Sequence, residues 1–351
     1  MKLYIGTFTR NGESQGIYHC QLDEVSGEIK LDGLAAECQN PAYLCLGPSL
    51  QTLYAVNEVN KFNNKPEGAI TAFRISNDGS LQDLGTVMSG SQGPCHLVLH
   101  PNGKLLFVSN YSGGGISVLS CNQDGSLKEC LLTIPHHGSS INTLRQQEPH
   151  PHSVNLSQDG KYLYVPDLGI DKIICYRVEE DEKILKECGQ VIMAPGAGPR
   201  HFCFHPTGRV AYVINELAST ITALAFDREN SDLQQMQTTS TLPKDFKGET
   251  ATAHILAHPN GRFLYGSNRG HDSISVFAIG GDGRIKLIGT EPTLGKTPRN
   301  FTITGNGQFL IVANQDSNSV GTFSIDLDTG LLRPTGSLVE VPSPVCVLSV
   351  E

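Results

Sequence analysis

Short apolar runs alternate with breaks rich in glycine, proline and asparagine along the whole chain, and no stretch keeps a 3.6-residue apolar period for three turns. That pattern predicts many short strands and almost no helix. The runs also repeat. A strand ending in Asn or a near substitute occurs seven times: LYIGTF from Leu3, LYAVNE from Leu53, LFVSNY from Leu106, LYVPDL from Leu163, AYVINE from Ala211, LYGSNR from Leu264 and LIVANQ from Leu310. A second apolar run follows each, with its first aliphatic residue at Ile17, Ile70, Ile116, Ile173, Ile221, Ile274 and Val320. Those positions lie 53, 46, 57, 48, 53 and 46 residues apart. A turn and a further short strand then close the unit, as in NDGSL, QDGSL and GDGRI.

Four short antiparallel strands in a unit of this length are the content of a propeller blade. One blade cannot bury both its faces. Seven stacked radially can, and the ring leaves only short, protected edges. The expected fold class is therefore all-β: one seven-bladed β-propeller domain over residues 1–351, with four antiparallel strands per blade. The first unit lacks the strand that precedes LYIGTF, while Pro344–Val350 stands alone after the seventh. That segment aligns with Pro199–Phe204 and is expected to complete blade 1.

Within one unit, Gly196 to Leu217 (GAGPRHFCFHPTGRVAYVINEL) reads as a hairpin reversing at His205-Pro206-Thr207-Gly208. Its open end carries Arg200, His201, Asn215 and Glu216. Aligning the units turns each of these positions into a ring on one face of the propeller. The Arg200 ring is Ala42, Cys95, His152, Arg200, Ala253, Arg299 and Val345; the His201 ring is Tyr43, His96, Ser153, His201, His254, Asn300 and Cys346. The Asn215 ring is Thr7, Asn57, Asn110, Asp167, Asn215, Asn268 and Asn314, and the next is Phe8, Glu58, Tyr111, Leu168, Glu216, Arg269 and Gln315.

A residue type that recurs in nearly every blade is explained by the blade, so the asparagines read mainly as turn caps. The histidines of the HPNG and HPTG turns (His100, His205, His258) read as turn or surface residues at the opposite end. The charged outliers His152, Arg200, Arg269, Arg299, Glu58 and Glu216 are where the blade does not dictate identity. Converging on a narrow axis, they need counter-ions or a bound anion.

The formal charge of −9 without a long basic run argues against nucleic acid as a partner. No apolar run approaches a membrane span, and MKLYIGTFTRNGE lacks a charged-then-apolar leader pattern, so a soluble cytoplasmic protein is expected. The 10 cysteines lie mostly singly in apolar runs without CxxC spacing, which reads as buried thiols in a reducing compartment.

The longest repeat separation reflects the connection Ile134 to Val154, which carries His136, His137, Arg145, Gln146, His150 and His152. A long polar loop at a channel mouth suits a lid or binding loop. Its histidines match no HExxH-type spacing, so no metal or other cofactor is expected. No nucleophile elbow, P-loop or dinucleotide fingerprint occurs either.

The strings GAGPRHFCFHP…AYVINEL, HHGS…RQ..PHPHSV and LYVPDLGIDKI resemble the lactonase family of seven-bladed propellers, across essentially all seven units. That family includes 6-phosphogluconolactone hydrolases and is similar to a fungal carboxy-cis,cis-muconate cyclase. The resemblance implies a catalytic cluster at His152, Arg200, Glu216 and Arg269, and hydrolysis of a sugar δ-lactone such as 6-phosphogluconolactone. Water attack needs a base and positive charge at the developing oxyanion. Glu216 or His152 would be the base, Arg200 the oxyanion partner, and Arg269 with Arg299 or Arg145 the holders of a phosphate. Gln146, His201, Glu58 and Asn268 complete the expected substrate contacts. Rivals are a muconolactone-type cycloisomerase, a calcium-dependent lactonase using Glu58, Glu216, Asp167 and the asparagines, and a non-catalytic sugar-phosphate-binding propeller.

Overall fold

A computed structural model describes residues 1–10, 12–48, 51–179 and 185–350. Its 28 strands form seven four-stranded antiparallel sheets. Blade 5 shows the plan: Pro199–Phe204, Val210–Asn215, Thr220–Asp227 and Asp232–Ser240, hydrogen-bonded in that order. The first strand of most blades touches its counterparts in neighbouring blades, so these strands surround the axis. Blade 1 is closed by Pro344–Val350, which pairs antiparallel with Lys2–Thr7. The one helical element among the described residues is a single 3₁₀ turn at Gln315–Ser317, and no described helix is long and apolar enough to cross a membrane.

The core explains why a ring forms. Strand side chains alternate between the two faces of a sheet, and here both faces of each inner pair are apolar. Seven hydrophobic clusters result, each straddling one seam between adjacent blades. Ala211 and Val213 pack toward blade 4 with Tyr164 and Ile173, whereas Tyr212 and Ile214 pack toward blade 6 with Leu264 and Phe277. The outermost strands alternate buried and exposed residues instead, since only their inner halves meet a neighbour.

Polar staples run along the same seams. The tyrosine hydroxyls on the second strands of five blades each donate to a carbonyl in the following blade: Tyr4 to Gly79, Tyr54 to Gly125, Tyr164 to Ser231, Tyr212 to Gly283 and Tyr265 to Gly330. The HP-turn histidines do the same, with His100, His205 and His258 bonded through Nε2 to the carbonyls of Gly160, Gly261 and Gly307. Each opens a tight turn, as expected, and in addition ties its blade to the next.

Sequence repetition did not announce one backbone feature. In the inner strand of blade 5 the register passes from Pro199 opposite Asn215 to His201 opposite Ile214, leaving Arg200 as an extra, bulged residue. The same skip occurs at Cys95, Arg299 and Val345. Bulges bend a strand and re-aim the extra side chain. Blade 4 is reduced further: its inner strand is only Asn155–Leu156, and Pro151 opposes Asp167 through an isolated bridge.

Candidate active site

The bulges of blades 3, 5 and 7, with the shortened inner strand of blade 4, place side chains onto the axis at one end of the channel. A small, narrow cavity lies there, with Glu58, Cys95, His152, Arg200, His201 and Arg299 among its walls. Glu216 sits at its side, 2% exposed, one residue beyond the strand end at Asn215. Its Oε2 accepts from Arg200 Nε at 2.8 Å and pairs with Arg269 Nη2 at 2.9 Å; Oε1 accepts from Arg145 Nη2 at 2.8 Å. His152 Nε2 stands 3.9 Å from Oε2. Three guanidinium groups therefore converge on one buried carboxylate, with an imidazole beside them.

The electrostatics follow from that arrangement. Burial raises the proton affinity of Glu216, but the Arg269, Arg200 and Arg145 guanidiniums outweigh it and hold the carboxyl well below its usual range. Burial, assisted by Arg200, keeps His152 far below the ordinary histidine range, so its ring is neutral at physiological pH. Burial likewise pulls Arg200 down, to about 9, against the support of Glu216; it still carries its charge at neutral pH. Arg200 also donates through Nη1 to the Ala253 carbonyl, and Arg269 Nη2 to that of Thr252 at 2.8 Å.

Arg145 arrives from the long loop, and the loop is held by Asp167. Asp167 Oδ1 accepts from the His150 and Gly169 amides at 2.7 and 3.0 Å, while Oδ2 meets His136 Nδ1 at 2.7 Å. His136 is fixed from its other side by the Tyr176 hydroxyl at 3.0 Å. Arg145 also donates to the Tyr111 hydroxyl at 3.1 Å, and that ring stacks on His150 and meets His152 edge-on.

Of the residues anticipated at the site, His152, Arg200, Glu216, Arg269 and Arg145 come together. Arg299 and Glu58 line the same cavity from across the axis. His201 forms a buried pair with His254, their Nδ1 atoms 2.7 Å apart. Gln146 is fully buried and spends its amide inside the loop, donating to the Leu168 carbonyl and accepting from the Asn142 amide. Asn268 likewise donates to Ser273 and Ser275 of its own blade and to the Thr241 carbonyl at the end of blade 5. Neither amide is directed at the cavity by these bonds.

Tyr111, Arg10 and Phe8 were not anticipated as participants. Tyr111 and Phe8 occupy the same ring as Glu216, where they break the pattern and carried a usable signal; Arg10 lies beyond the aligned positions. A calcium site is disfavoured by the donors themselves. Asp167 is consumed by the loop, and Glu216 is surrounded by cations.

The chain matches the family model described as lactonase, 7-bladed beta-propeller, over residues 2–349. It is 33% identical to a 6-phosphogluconolactonase of Bacillus subtilis over 98% of this chain and 97% of that one. A 6-phosphogluconolactonase of Formosa agariphila is 36% identical, with 94% of each chain covered. Among solved structures, the periplasmic gluconolactonase of Pseudomonas aeruginosa superposes with a TM-score of 0.93 at 33% identity, covering 100% of this chain and 99% of that one.

Proposed function

This chain belongs to the lactonase family of seven-bladed β-propellers, and from that premise we propose that it hydrolyses 6-phosphogluconolactone to 6-phosphogluconate. The observation that carries the reading is the neutral His152 beside a carboxylate that gathers three arginines. Both oxygens of Glu216 are engaged by guanidiniums, so it acts as the counter-charge that fixes Arg200 and Arg269. His152 is the base. Its Nε2 takes a proton from water as the water oxygen bonds to the lactone carbonyl carbon. Arg200 faces the oxyanion that forms.

When the ring C–O bond breaks, the imidazolium returns its proton to the departing ring oxygen. Glu216, 3.9 Å away, stabilises that imidazolium while it exists. A δ-lactone is intrinsically reactive, so this help suffices without a covalent nucleophile. Cys95 fits that view, since burial pushes its thiol up to about 12 and keeps it protonated. The cytoplasm as the compartment belongs to the same proposal, supported by ten free thiols.

The test is acid release from 6-phosphogluconolactone and glucono-δ-lactone, measured against the spontaneous rate with and without chelator. Wild-type protein should accelerate hydrolysis in both buffers. His152→Asn and Arg200→Ala should each lose ~10²-fold or more in turnover. Wild-type rates in both folded variants would sink the assignment.

A further inference from the structure

We infer that Cys175 and Cys188 form a reversible disulfide, a thiol–disulfide exchange site on the outer edge of blade 4 that takes a low-molecular-weight disulfide as its oxidant. The site stands apart from the lactonase chemistry and does not depend on it. Cys175 lies on the third strand of blade 4, Lys172–Val178, and Cys188 on the fourth, Leu185–Ile192. The register passes from Cys175 opposite Gly189 to Tyr176 opposite Glu187, so Cys188 is an extra, bulged residue beside Cys175. Their sulfurs are 3.2 Å apart, the one contact between cysteine sulfurs among the described residues. The same bulge recurs in other blades, where it sets Leu84 beside Ala72, Leu131 beside Val118, Met236 beside Ala223 and Ile288 beside Val276. The blade thus calls for two apolar side chains here, and blade 4 alone among these five supplies two thiols.

The surroundings suit exchange. Cys188 is the exposed member of the ten cysteines, whereas Cys175 is 7% exposed. A surface cleft between blades 4 and 5 has both among its walls, with Gly189, Asn230 and Asp232. Gly189 carries no side chain, and the space a Cβ would enter is empty to 4 Å, so the approach to Cys188 is open. Burial pushes the Cys175 thiol up, so the exposed sulfur attacks first and the buried one resolves. The Cys188 thiolate attacks one sulfur of the oxidant, whose S–S bond breaks and releases a first thiol. The Cys175 sulfur then attacks the Cys188 sulfur, gives up its proton and expels the second thiol. The protein loses two hydrogen atoms, and the oxidant is reduced to two thiols. Sulfurs already in contact on paired strands need no large backbone movement to join. No third Cys, His, Asp or Glu among the described residues stands close enough to complete a metal site.

The probe is glutathione disulfide, set against reduced glutathione at neutral pH on the full chain. Free thiols are then alkylated in denaturant, and the protein is digested without reductant. Trypsin cuts after Arg177 and Lys186, which puts the two cysteines on separate peptides unless a disulfide joins them. Oxidised wild type should show two fewer alkylated thiols and the joined peptides, and excess reduced glutathione should reverse both. Its melting midpoint should rise on oxidation, because the bond constrains the unfolded chain. Cys175→Ala gives blade 4 the residue of blades 2 and 5, and Cys188→Met that of blade 5, so both variants are expected to fold. Cys175→Ala should instead retain glutathione on Cys188, and Cys188→Met should form no disulfide at Cys175. Neither variant should gain stability on oxidation. A wild-type protein that holds glutathione on Cys188 with Cys175 still free overturns the inference, as does one that keeps both thiols under excess glutathione disulfide.

Discussion

Glu216 matters at the scale of single residues because removing its charge leaves Arg200 and Arg269 buried against each other. Breaking a buried pair from one side typically costs 3–5 kcal/mol, roughly, because the remaining charge is uncompensated. Glu216→Gln is therefore expected to lower the urea midpoint as well as to cut turnover by ~10²-fold. A variant with reduced turnover but wild-type stability would recast Glu216 as a base rather than a counter-charge.

The four axial histidines act in the opposite sense. Burial lowers the proton affinity of His96, His152, His201 and His254, the last to about 3, with Arg200 adding to each. In the unfolded chain each takes a proton near pH ~6.5. The unfolded state thus binds more protons below that pH, so the contribution to stability is complete above it and is lost on acidification. The loss approaches about 1.4 kcal/mol per pH unit for each histidine. Chemical denaturation at pH ~7.5 and pH ~5 measures it, and equal midpoints would contradict it. Activity should respond later than stability does. With His152 neutral well below its ordinary range, kcat/KM should stay flat through pH ~6.5 and fall only in stronger acid.

Among the elements, the long loop is anchored by several contacts, three of them to one side chain. Asp167 binds the His150 amide, the Gly169 amide and His136, and the same loop delivers Arg145 to Glu216. Asp167→Ala should lower kcat/KM by ~10-fold or more, since small misplacements of a positioned group are costly. It should also open residues 136–150 to limited proteolysis; a loop as resistant as wild type would argue that other contacts hold it. This element was only half legible in the chain. Repeat alignment places Asp167 as the lone carboxylate in a ring of asparagines, yet it did not count among the charged outliers, and nothing in the spacing revealed that it turns toward the loop.

The bulges were written more openly than the alignment used. Pro41, Pro94, Pro151, Pro199, Pro298 and Pro344 each precede the Arg200-equivalent position, and proline in a strand belongs at an edge or a bulge because it lacks an N–H. The blade repeat and its closure were readable because they depend on a periodicity of apolar residues. The clamp on Glu216 was readable as a set of charged outliers. Which arginines it would gather was not, because that depends on side-chain reach across the axis. The spent amides of Gln146 and Asn268 escaped notice for the same reason, since a polar side chain does not declare its partner in sequence.

For the whole molecule, closure is the decisive property. Pro344–Val350 pairs along the full length of Lys2–Thr7, and its Val347 amide is accepted by Asn300 of blade 7. Removing residues 344–350 would strip blade 1 of its inner strand and unseat two apolar seams at once. The truncated chain is expected to melt broadly and at lower temperature, with loss of lactonase turnover; a sharp, unshifted transition would show that the ring closes without this strand.

The same strand also sets a schedule. A ribosome makes blades 2 to 7 in order, and each can stack on its predecessor as it emerges. Blade 1 cannot be finished at that stage, because its inner strand is encoded at the other end of the chain. The reacting groups come from blades 4, 5 and 6, and the groups facing them from blades 1, 2 and 7, so no nascent arc encloses the cavity. The cavity is enclosed only when Pro344–Val350 pairs with Lys2–Thr7.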